Sequence, residues 1–76
     1  MKLRIVVTLK NGVLDPQGRA IGTALHGLGF PGVNEVRVGK LFELDVADDT
    51  SDADVDAMCR KLLANTVIEN YRVERA

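Results

Sequence analysis

Apolar and polar side chains alternate at the start of the chain. Leucine, isoleucine and valine occupy the odd positions from Leu3 to Leu9, the positions between carry arginine, valine and threonine, and a lysine flanks the run on each side. Because successive side chains of a strand point to opposite faces, this period of two predicts a half-buried β-strand. Asn11-Gly12 predicts a turn after it.

A helix with marked ends is predicted within residues 13–32. Asp15 is placed to accept a hydrogen bond from the first turn as N-cap, and Pro16 suits the first helical position because its missing N–H would be unpaired there. Apolar residues recur at helical spacing and form one stripe: Ala20, Ile21, Ala24, Leu25 and Leu28. The glycines and the proline of residues 27–32 end the helix.

Two glycines interrupt this helix, Gly18 and Gly22. A glycine inside a helix costs about 1 kcal/mol against alanine. Two of them four residues apart leave a flat face that another backbone can approach closely. Two interpretations are open: the face packs on the chain's own sheet, or it contacts another subunit.

The middle of the chain predicts two strands. Valines alternate with charged residues in residues 33–40, and apolar residues alternate with acids in residues 42–46. Such alternation is typical of half-buried strands. Gly39-Lys40 lies between them, so we expect a hairpin with a tight turn or a bulge at that point.

The last part of the chain predicts a helix and a strand. The acidic residues 47–54 form a loop, in which Thr50 or Ser51 is the expected N-cap. One buried stripe follows at helical spacing: Val55, Met58, Cys59, Leu62 and Leu63. Asn65 can close this helix, and residues 67–73 predict the final strand.

The resulting order, β-α-β-β-α-β, predicts an α+β, ferredoxin-like fold, with an antiparallel sheet and both helices on one face. With 76 residues, we expect one domain over residues 1–76. A domain this small, with one open sheet face and free edges, is marginal alone. We therefore expect a homodimer or a higher homo-oligomer.

Composition argues against several classes of partner. A net charge of −1 and an aromatic content of 4% give no basis for binding nucleic acid or an anionic membrane. No apolar run reaches the roughly 18 residues of a membrane span, and the first strand does not resemble a signal peptide. One cysteine cannot form an internal disulfide. The cytoplasm is the expected compartment.

No catalytic or metal-binding constellation is recognisable. His26 is the only histidine and has no predicted partner, and Cys59 lies on an apolar stripe, where a thiol is inert. The acids of residues 45–56 lack the spacing of a calcium loop. The loop before the first helix does not resemble a phosphate-binding loop, because it has one glycine and Asp15 would repel a phosphate. We expect no catalytic residue, metal or cofactor in this chain.

Three stretches of the chain resemble PurS, the small-subunit family of phosphoribosylformylglycinamidine synthase. The first comprises Leu9-Lys10, Val13-Leu14-Asp15-Pro16-Gln17-Gly18, Ala20 and Ala24-Leu25. The second comprises Val36-Arg37, Gly39-Lys40 and Glu43-Leu44. The third comprises Cys59, Lys61-Leu62-Leu63-Ala64-Asn65, Val67-Ile68-Glu69 and Tyr71. They follow the family's order and cover nearly the whole chain, but the acidic residues 47–53 match no motif.

The resemblance implies a role within an enzyme complex of purine biosynthesis. Members of this family act as dimers with a glutaminase that releases ammonia and an ATP-dependent synthetase that makes the amidine. The small subunit has no catalytic residue and is thought to bridge the two. ATP and magnesium are then expected in the synthetase partner. We expect these interaction residues: Asp15, Pro16, Gln17, Gly18, Gly22, Arg37, Gly39, Lys40 and Asn65.

A second hypothesis keeps the same fold with another function. Regulatory domains that sense amino acids share the β-α-β-β-α-β order and hold a small molecule in a glycine-containing loop at a dimer interface. Asn11-Gly12 is the loop that would serve here. A free-standing enzyme of the acylphosphatase type is disfavoured, because the region around Asp15 lacks the phosphate loop that it needs.

Overall fold

A three-stranded antiparallel sheet is the centre of the fold. The computed structural model describes residues 1–75. In it β1 (Lys2–Leu9) pairs with β2 (Gly39–Asp45) on one side and with β3 (Glu69–Arg75) on the other. The predicted period of two in β1 is confirmed, because its apolar side chains at positions 3, 5 and 7 are buried and the positions between are exposed or half-buried.

One face of the sheet carries the core. α2 (Asp52–Met58) continues into a π-helical turn (Cys59–Leu63), and both contribute buried side chains to this face. The core consists of Leu3, Ile5, Val7, Val55, Cys59 and Ala64. Of the two predicted N-cap residues, Ser51 is the one that caps α2. It accepts a hydrogen bond from the Asp54 N–H at 3.1 Å.

Polar contacts join α2 to β3. The Tyr71 hydroxyl donates to the Asp56 carboxylate, whose other oxygen accepts from Arg60 Nε at 2.8 Å. The Tyr71 hydrogen bond, with a smaller contribution from Arg60, lowers the pKa of Asp56. Arg75 pairs with Asp52 one turn earlier in α2. These contacts fix which flank of α2 faces β3.

Both predicted ends of the first helix are confirmed. α1 runs over Pro16–Gly27, with Asp15 as N-cap. At the other end, Gly29 has a φ of +96°, and the Phe30 N–H donates to the Leu25 carbonyl at 3.0 Å. This is the left-handed glycine termination in which the chain folds back over the last turn.

α1 lies outside the core, which is the first difference from expectation. Its apolar stripe is largely exposed, with Ile21 at 40% and Leu28 at 72%. The radius of gyration is 15.7 Å, against about 11 Å for a compact domain of this length. The α+β, ferredoxin-like class is confirmed, but within residues 1–75 the sheet is covered by α2 with its π-helical turn, and α1 extends away from it.

The strand predicted for residues 33–40 is wrong, and so is the hairpin. Residues 33–38 have no regular secondary structure, and Gly39 and Lys40 begin β2 instead of forming a turn. The backbone of this segment contacts α1: Val38 donates to Asp15, and the Val33 carbonyl oxygen lies 2.7 Å from His26 Nε2. Backbone groups at both ends of this segment therefore find partners without a neighbouring strand.

The last strand begins later than predicted, at Glu69 instead of Val67. Asn65 Oδ1 accepts a hydrogen bond from the Val67 N–H at 3.1 Å, and the Asn65 carbonyl accepts from Ile68. An asparagine side chain that bonds the backbone two residues on forms its own turn. The chain therefore turns here before it enters β3.

Candidate functional site

Asp15 joins the start of α1 to the segment before β2. Its Oδ1 accepts a hydrogen bond from the Gly18 N–H at 2.8 Å, and its Oδ2 accepts one from the Val38 N–H at 2.9 Å. These two donors, Val38 first, lower the pKa of Asp15, and the guanidinium of Arg37 adds to the effect. Although the side chain is buried, it is therefore ionised at neutral pH.

Gly18 and Val36 make a close backbone contact between α1 and residues 33–38. A Cβ added to Gly18 would overlap the Val36 carbonyl oxygen and would lie 3.0 Å from the Asp15 carboxylate. Gly22 is looser, since its added Cβ would lie 3.7 Å from a Val36 methyl group. The glycine face thus packs within its own chain, on this segment and not on the sheet.

Arg37 holds the loop that follows β1. Its guanidinium donates to the Val13 carbonyl at 3.2 Å and to the Lys10 carbonyl at 3.3 Å. Between these two residues, Gly12 has a φ of +84°, which favours glycine. This is the loop that a small-molecule sensor would use, and here Arg37 already engages two of its carbonyl groups.

These contacts make one structural unit of α1 and residues 28–38, which we call the arm. Asp15 and Gly18 hold its base, and His26 closes its far end on Val33. Few apolar side chains are buried within it, since Gly18 is the buried residue of α1. The arm therefore keeps its shape mainly through hydrogen bonds and close backbone packing.

Further predicted interaction residues lie where the arm joins the sheet. Gly39 has to be small, because an added Cβ would lie 2.6 Å from the Val7 carbonyl oxygen. Lys40 Nζ lies 3.7 Å from Glu69 Oε2, and the other oxygen of Glu69 accepts a hydrogen bond from the Asn65 N–H at 2.7 Å. Glu69 thus connects the starts of β2 and β3.

The structure gathers most of the predicted residues around the starts of α1 and β2. Gly22 lies one turn further along α1, and Asn65 is linked to the group through Glu69. Pro16, Gln17 and Lys40 are exposed and border a groove of about 380 Å³, the base groove. Asp15 and Gly18 are buried, so they hold the backbone beneath this surface and expose little of themselves on it.

Two residues of the site were missed by the sequence analysis. Val38 acts through its backbone N–H, and the identity of a side chain does not reveal where its backbone N–H points. Glu69 lies within the third stretch of the resemblance, yet its partners Lys40 and Asn65 come from different elements. Only the antiparallel pairing of both outer strands with β1 brings them together.

The described residues offer little for catalysis. Within residues 1–75 no group of three or more His, Cys, Asp or Glu side chains could hold a metal ion. Cys59 is fully buried, and burial raises the pKa of its thiol. No helix in this part of the chain is long and apolar enough to cross a membrane. A groove and a projecting arm suit binding more than reaction.

The fold and the site together define a small ferredoxin-like module that presents surfaces for other proteins. The chain belongs to the PurS family: its residues 2–76 match the family described as "PurS: Phosphoribosylformylglycinamidine (FGAM) synthase". The match covers the arm, the base groove and all three strands.

Individual relatives agree with this family. The chain is 51% identical, over 75 residues, to the phosphoribosylformylglycinamidine synthase subunit PurS of Bacillus subtilis, covering 96% of this chain and 89% of the relative. A crystal structure of B. subtilis PurS superimposes with a TM-score of 0.88 over 96% of this chain and 94% of that one. A chain in the structure of PurLQS from Thermotoga maritima is 31% identical, with a TM-score of 0.86 over 99% and 95% of the two chains.

Proposed function

We propose that this chain is the bridging subunit of phosphoribosylformylglycinamidine synthase, in which it contacts both a glutaminase and an ATP-dependent synthetase. The observation that carries the proposal is the family match over residues 2–76. The similarity to a chain of the T. maritima PurLQS structure supports a role inside an assembly. The exposed base groove and arm supply surfaces for such contacts.

The chemistry belongs to the partners. The glutaminase releases ammonia from glutamine, and the synthetase activates the amide oxygen of formylglycinamide ribonucleotide with ATP, so that ammonia displaces phosphate and forms the amidine. Both half-reactions need a placed nucleophile, base or phosphate site. The bridge helps ammonia to reach its target without loss to water, and it acts as a homodimer.

The chain binds no cofactor in this proposal, and ATP and magnesium are held by the synthetase. The charges of the base groove support this, because a phosphate there would meet the carboxylates of Asp15 and Glu69, and Lys40 is already paired with Glu69. A cytoplasmic location fits the single buried thiol, Cys59.

Reconstitution tests the proposal. The glutaminase and the synthetase are assayed for amidine formation with and without this chain, with either glutamine or ammonium as nitrogen source. We expect omission to abolish the glutamine-driven reaction and high ammonium to restore much of it. Full glutamine-driven turnover without the chain would contradict the proposal. If high ammonium does not restore amidine formation, the chain does not act by delivering ammonia. It would then act directly on the synthetase.

The exposed border of the base groove is the part we assign to partner contact. The double variant Gln17→Ala with Lys40→Ala removes two exposed polar side chains and leaves Asp15 and Gly18 intact. We expect this variant to stay folded and to bind the partners at least about tenfold more weakly, a change of about 1.4 kcal/mol. Lys61→Ala is the matched control, exposed on the π-helical turn. Equal binding by both variants would remove the base groove from the interface.

A further inference from the structure

The turn after β1 contains a sequence, Asn11-Gly12, that the proposed function does not use. The Val13 N–H donates to the Lys10 carbonyl at 3.1 Å, which closes a β-turn with Asn11 and Gly12 as its central residues. Gly12 has a φ of +84°, whereas no non-glycine residue within residues 1–75 has a positive φ. A positive φ at the second central position alone is typical of a type II turn. The hydrogen bond that closes such a turn does not use the central N–H, which here belongs to Gly12.

Two groups that can react with each other lie side by side in this turn. Attack of the Gly12 nitrogen on Asn11 Cγ would close a five-membered ring, and Gly12 has no Cβ to obstruct that attack. Both residues are exposed, and a Cβ added to Gly12 would meet nothing within 4 Å. No hydrogen bond within residues 1–75 engages the Asn11 amide or the Gly12 N–H. Both groups are therefore free to react.

We propose that Asn11 is a site of spontaneous modification, at which the asparagine converts to aspartate and isoaspartate. The Gly12 nitrogen bonds to Asn11 Cγ, the bond from Cγ to the side-chain nitrogen breaks, and that nitrogen leaves as ammonia with the proton of the Gly12 N–H. Water then opens the cyclic imide at either of its two carbonyl groups. One opening gives aspartate, and the other gives isoaspartate, in which the main chain runs through the β-carbon. One water is consumed, one ammonia is released, and nothing is oxidised.

The other side-chain amides lack this combination of features. Asn34, Asn65 and Asn70 are followed by glutamate, threonine and tyrosine, whose side chains obstruct the attack. The Asn65 side chain is also hydrogen-bonded within its own turn, and Asn70 lies in β3. Gln17 does precede a glycine, but the Gly18 N–H already donates to a carboxylate at 2.8 Å, and a glutamine would need a larger ring. The proposal therefore selects one amide of the chain.

The modification would act on the contact between this turn and the arm. Arg37 donates to the Lys10 and Val13 carbonyls, which flank the two central residues of the turn. Isoaspartate places one more main-chain carbon between these carbonyls, so that one planar guanidinium no longer fits both of them. Aspartate adds a charge and leaves the backbone path unchanged. Isoaspartate thus releases the turn from Arg37, and aspartate does not. This inference concerns the isolated chain and does not rest on the bridging function.

Incubation of the full chain tests the modification. The protein is kept in mildly alkaline buffer, and peptide mapping by mass spectrometry follows each side-chain amide with time. We expect Asn11 to convert at least about tenfold faster than Asn34, which is an exposed asparagine of the same chain. Because both residues are measured in one sample, folding and buffer are identical for them. Equal rates, or an Asn11 that stays intact in the folded chain, would overturn the proposal.

Two variants test the mechanism. Gly12→Ala places a methyl group beside the attacking nitrogen, and Asn11→Gln requires a larger ring. Each should slow the modification at position 11 at least about tenfold. Asn11→Gln needs no special φ, so it covers the case in which alanine distorts the turn, and circular dichroism checks the fold of both. Gly32→Ala is the matched control, an exposed glycine with open space around it, and should leave the rate unchanged. A wild-type rate in both test variants would exclude attack by the Gly12 nitrogen.

Hydrogen exchange of the Val13 amide tests the effect on the turn. Ion exchange isolates the modified chains by their added negative charge, and peptide mapping tells aspartate from isoaspartate. We expect the Val13 N–H to exchange at least about tenfold faster in the isoaspartate form than in the unmodified chain. The Asn11→Asp variant, which has the charge and the normal backbone, should stay within about twofold of the unmodified chain. Equal exchange in the three proteins would overturn the release from Arg37, and faster exchange in Asn11→Asp as well would assign the effect to charge.

Discussion

The sheet with α2 and the arm are two halves of one short chain that are held together by different forces. The first half buries Leu3, Ile5, Val7, Val55 and Cys59 in one contiguous core. The arm has no such core, and its shape depends on the carboxylate of Asp15, the guanidinium of Arg37 and a glycine against a carbonyl group. Apolar burial stabilises the first half. The apolar residues of the arm are exposed instead, so they contribute little to holding its shape.

The difference explains where partner contacts belong in the molecule. A unit held by directional polar contacts keeps a defined orientation while its apolar surface stays available. Exposed apolar patches of this kind mark interaction sites more often than they mark simple surface. We therefore propose that the core half is the foundation and that the arm and the base groove are the contact surfaces.

The largest expected effect tests the core half against the stripe. Ile5→Ala should cost about 2–5 kcal/mol of unfolding free energy, the usual range for emptying a packed site, because Ile5 is fully buried. Ile21→Ala, measured at concentrations where the chain is monomeric, should change it by less than about 0.5 kcal/mol. Urea unfolding gives both values. Similar costs would mean that the two halves share one core.

The next prediction concerns the glycine face of the arm. Gly18→Ala should destabilise the chain by about 1–3 kcal/mol, the usual cost of overpacking, because the new Cβ would overlap the Val36 carbonyl and backbone cannot easily move aside. Gly22→Ala is the matched control in the same helix. There the space is adequate, so better helix propensity should stabilise the chain by up to about 1 kcal/mol.

Equal effects of the two alanines on the urea midpoint would contradict a close contact at Gly18. Stabilisation by both would mean that the arm is loose in solution. The pair is informative because the two substitutions are chemically identical and one turn apart.

The third prediction concerns the carboxylate that holds the arm's base. Asp15→Ala removes the N-cap and the acceptor for Val38, and we expect the melting temperature to fall by roughly 4–8 °C, as for loss of a helix cap in a domain of this size. The effect should depend on pH. The folded pKa of Asp15 is lowered by the Val38 and Gly18 N–H groups, so its contribution is complete above the unfolded value of about 3.9.

As the pH falls through the folded pKa, that contribution is lost. The gap in melting temperature between the wild type and Asp15→Ala should therefore be constant from pH 7 to about pH 5 and should narrow below about pH 4. Asp56, whose pKa is also lowered, titrates in both proteins and cancels in the difference. A gap that stays constant down to pH 2.5 would exclude an ionised Asp15 as the source.

Local signals in the sequence were enough to predict much of this fold. The period of two in β1, the Asp15 cap and the Ser51 cap depend on neighbouring residues, and all three are confirmed. The prediction of a strand over residues 33–40 was wrong. Val36 and Val38 show the alternation of a strand, but the Val38 N–H donates to Asp15 and the Val36 carbonyl lies against Gly18. Side-chain alternation indicates faces, and it does not specify which hydrogen-bond partner a backbone finds.

The position of α1 could not be read from its own pattern either. The stripe with Ile21 and Leu28 predicts a helix face that is buried against another surface. Amphipathicity does not specify which surface covers that face. Several residues predicted to make interactions do lie close together, since the residues from Asp15 to Gly18 meet Arg37, Gly39 and Lys40, and their role in binding stays a prediction. Their common location depends on a turn and a short segment, whereas the path of α1 depends on backbone contacts with residues 33–38, which the pattern of α1 does not show.

The smallest expected effect concerns Lys40, whose side chain is exposed at the junction of arm and sheet. Its Nζ lies 3.7 Å from Glu69 Oε2, and an ion pair with one exposed partner contributes about 0.5 kcal/mol or less. Lys40→Ala should therefore lower the urea midpoint only slightly, and the difference should vanish in 1 M salt, where the screening length is about 3 Å. Lys61→Ala should show no change at either salt concentration. A large, salt-independent decrease in the urea midpoint of Lys40→Ala would contradict this prediction. It would mean that Lys40 keeps Glu69 in place beside Asn65 and that this junction helps to determine the fold. A small loss leaves Lys40 free for the contact with the partner enzymes that we assign to it.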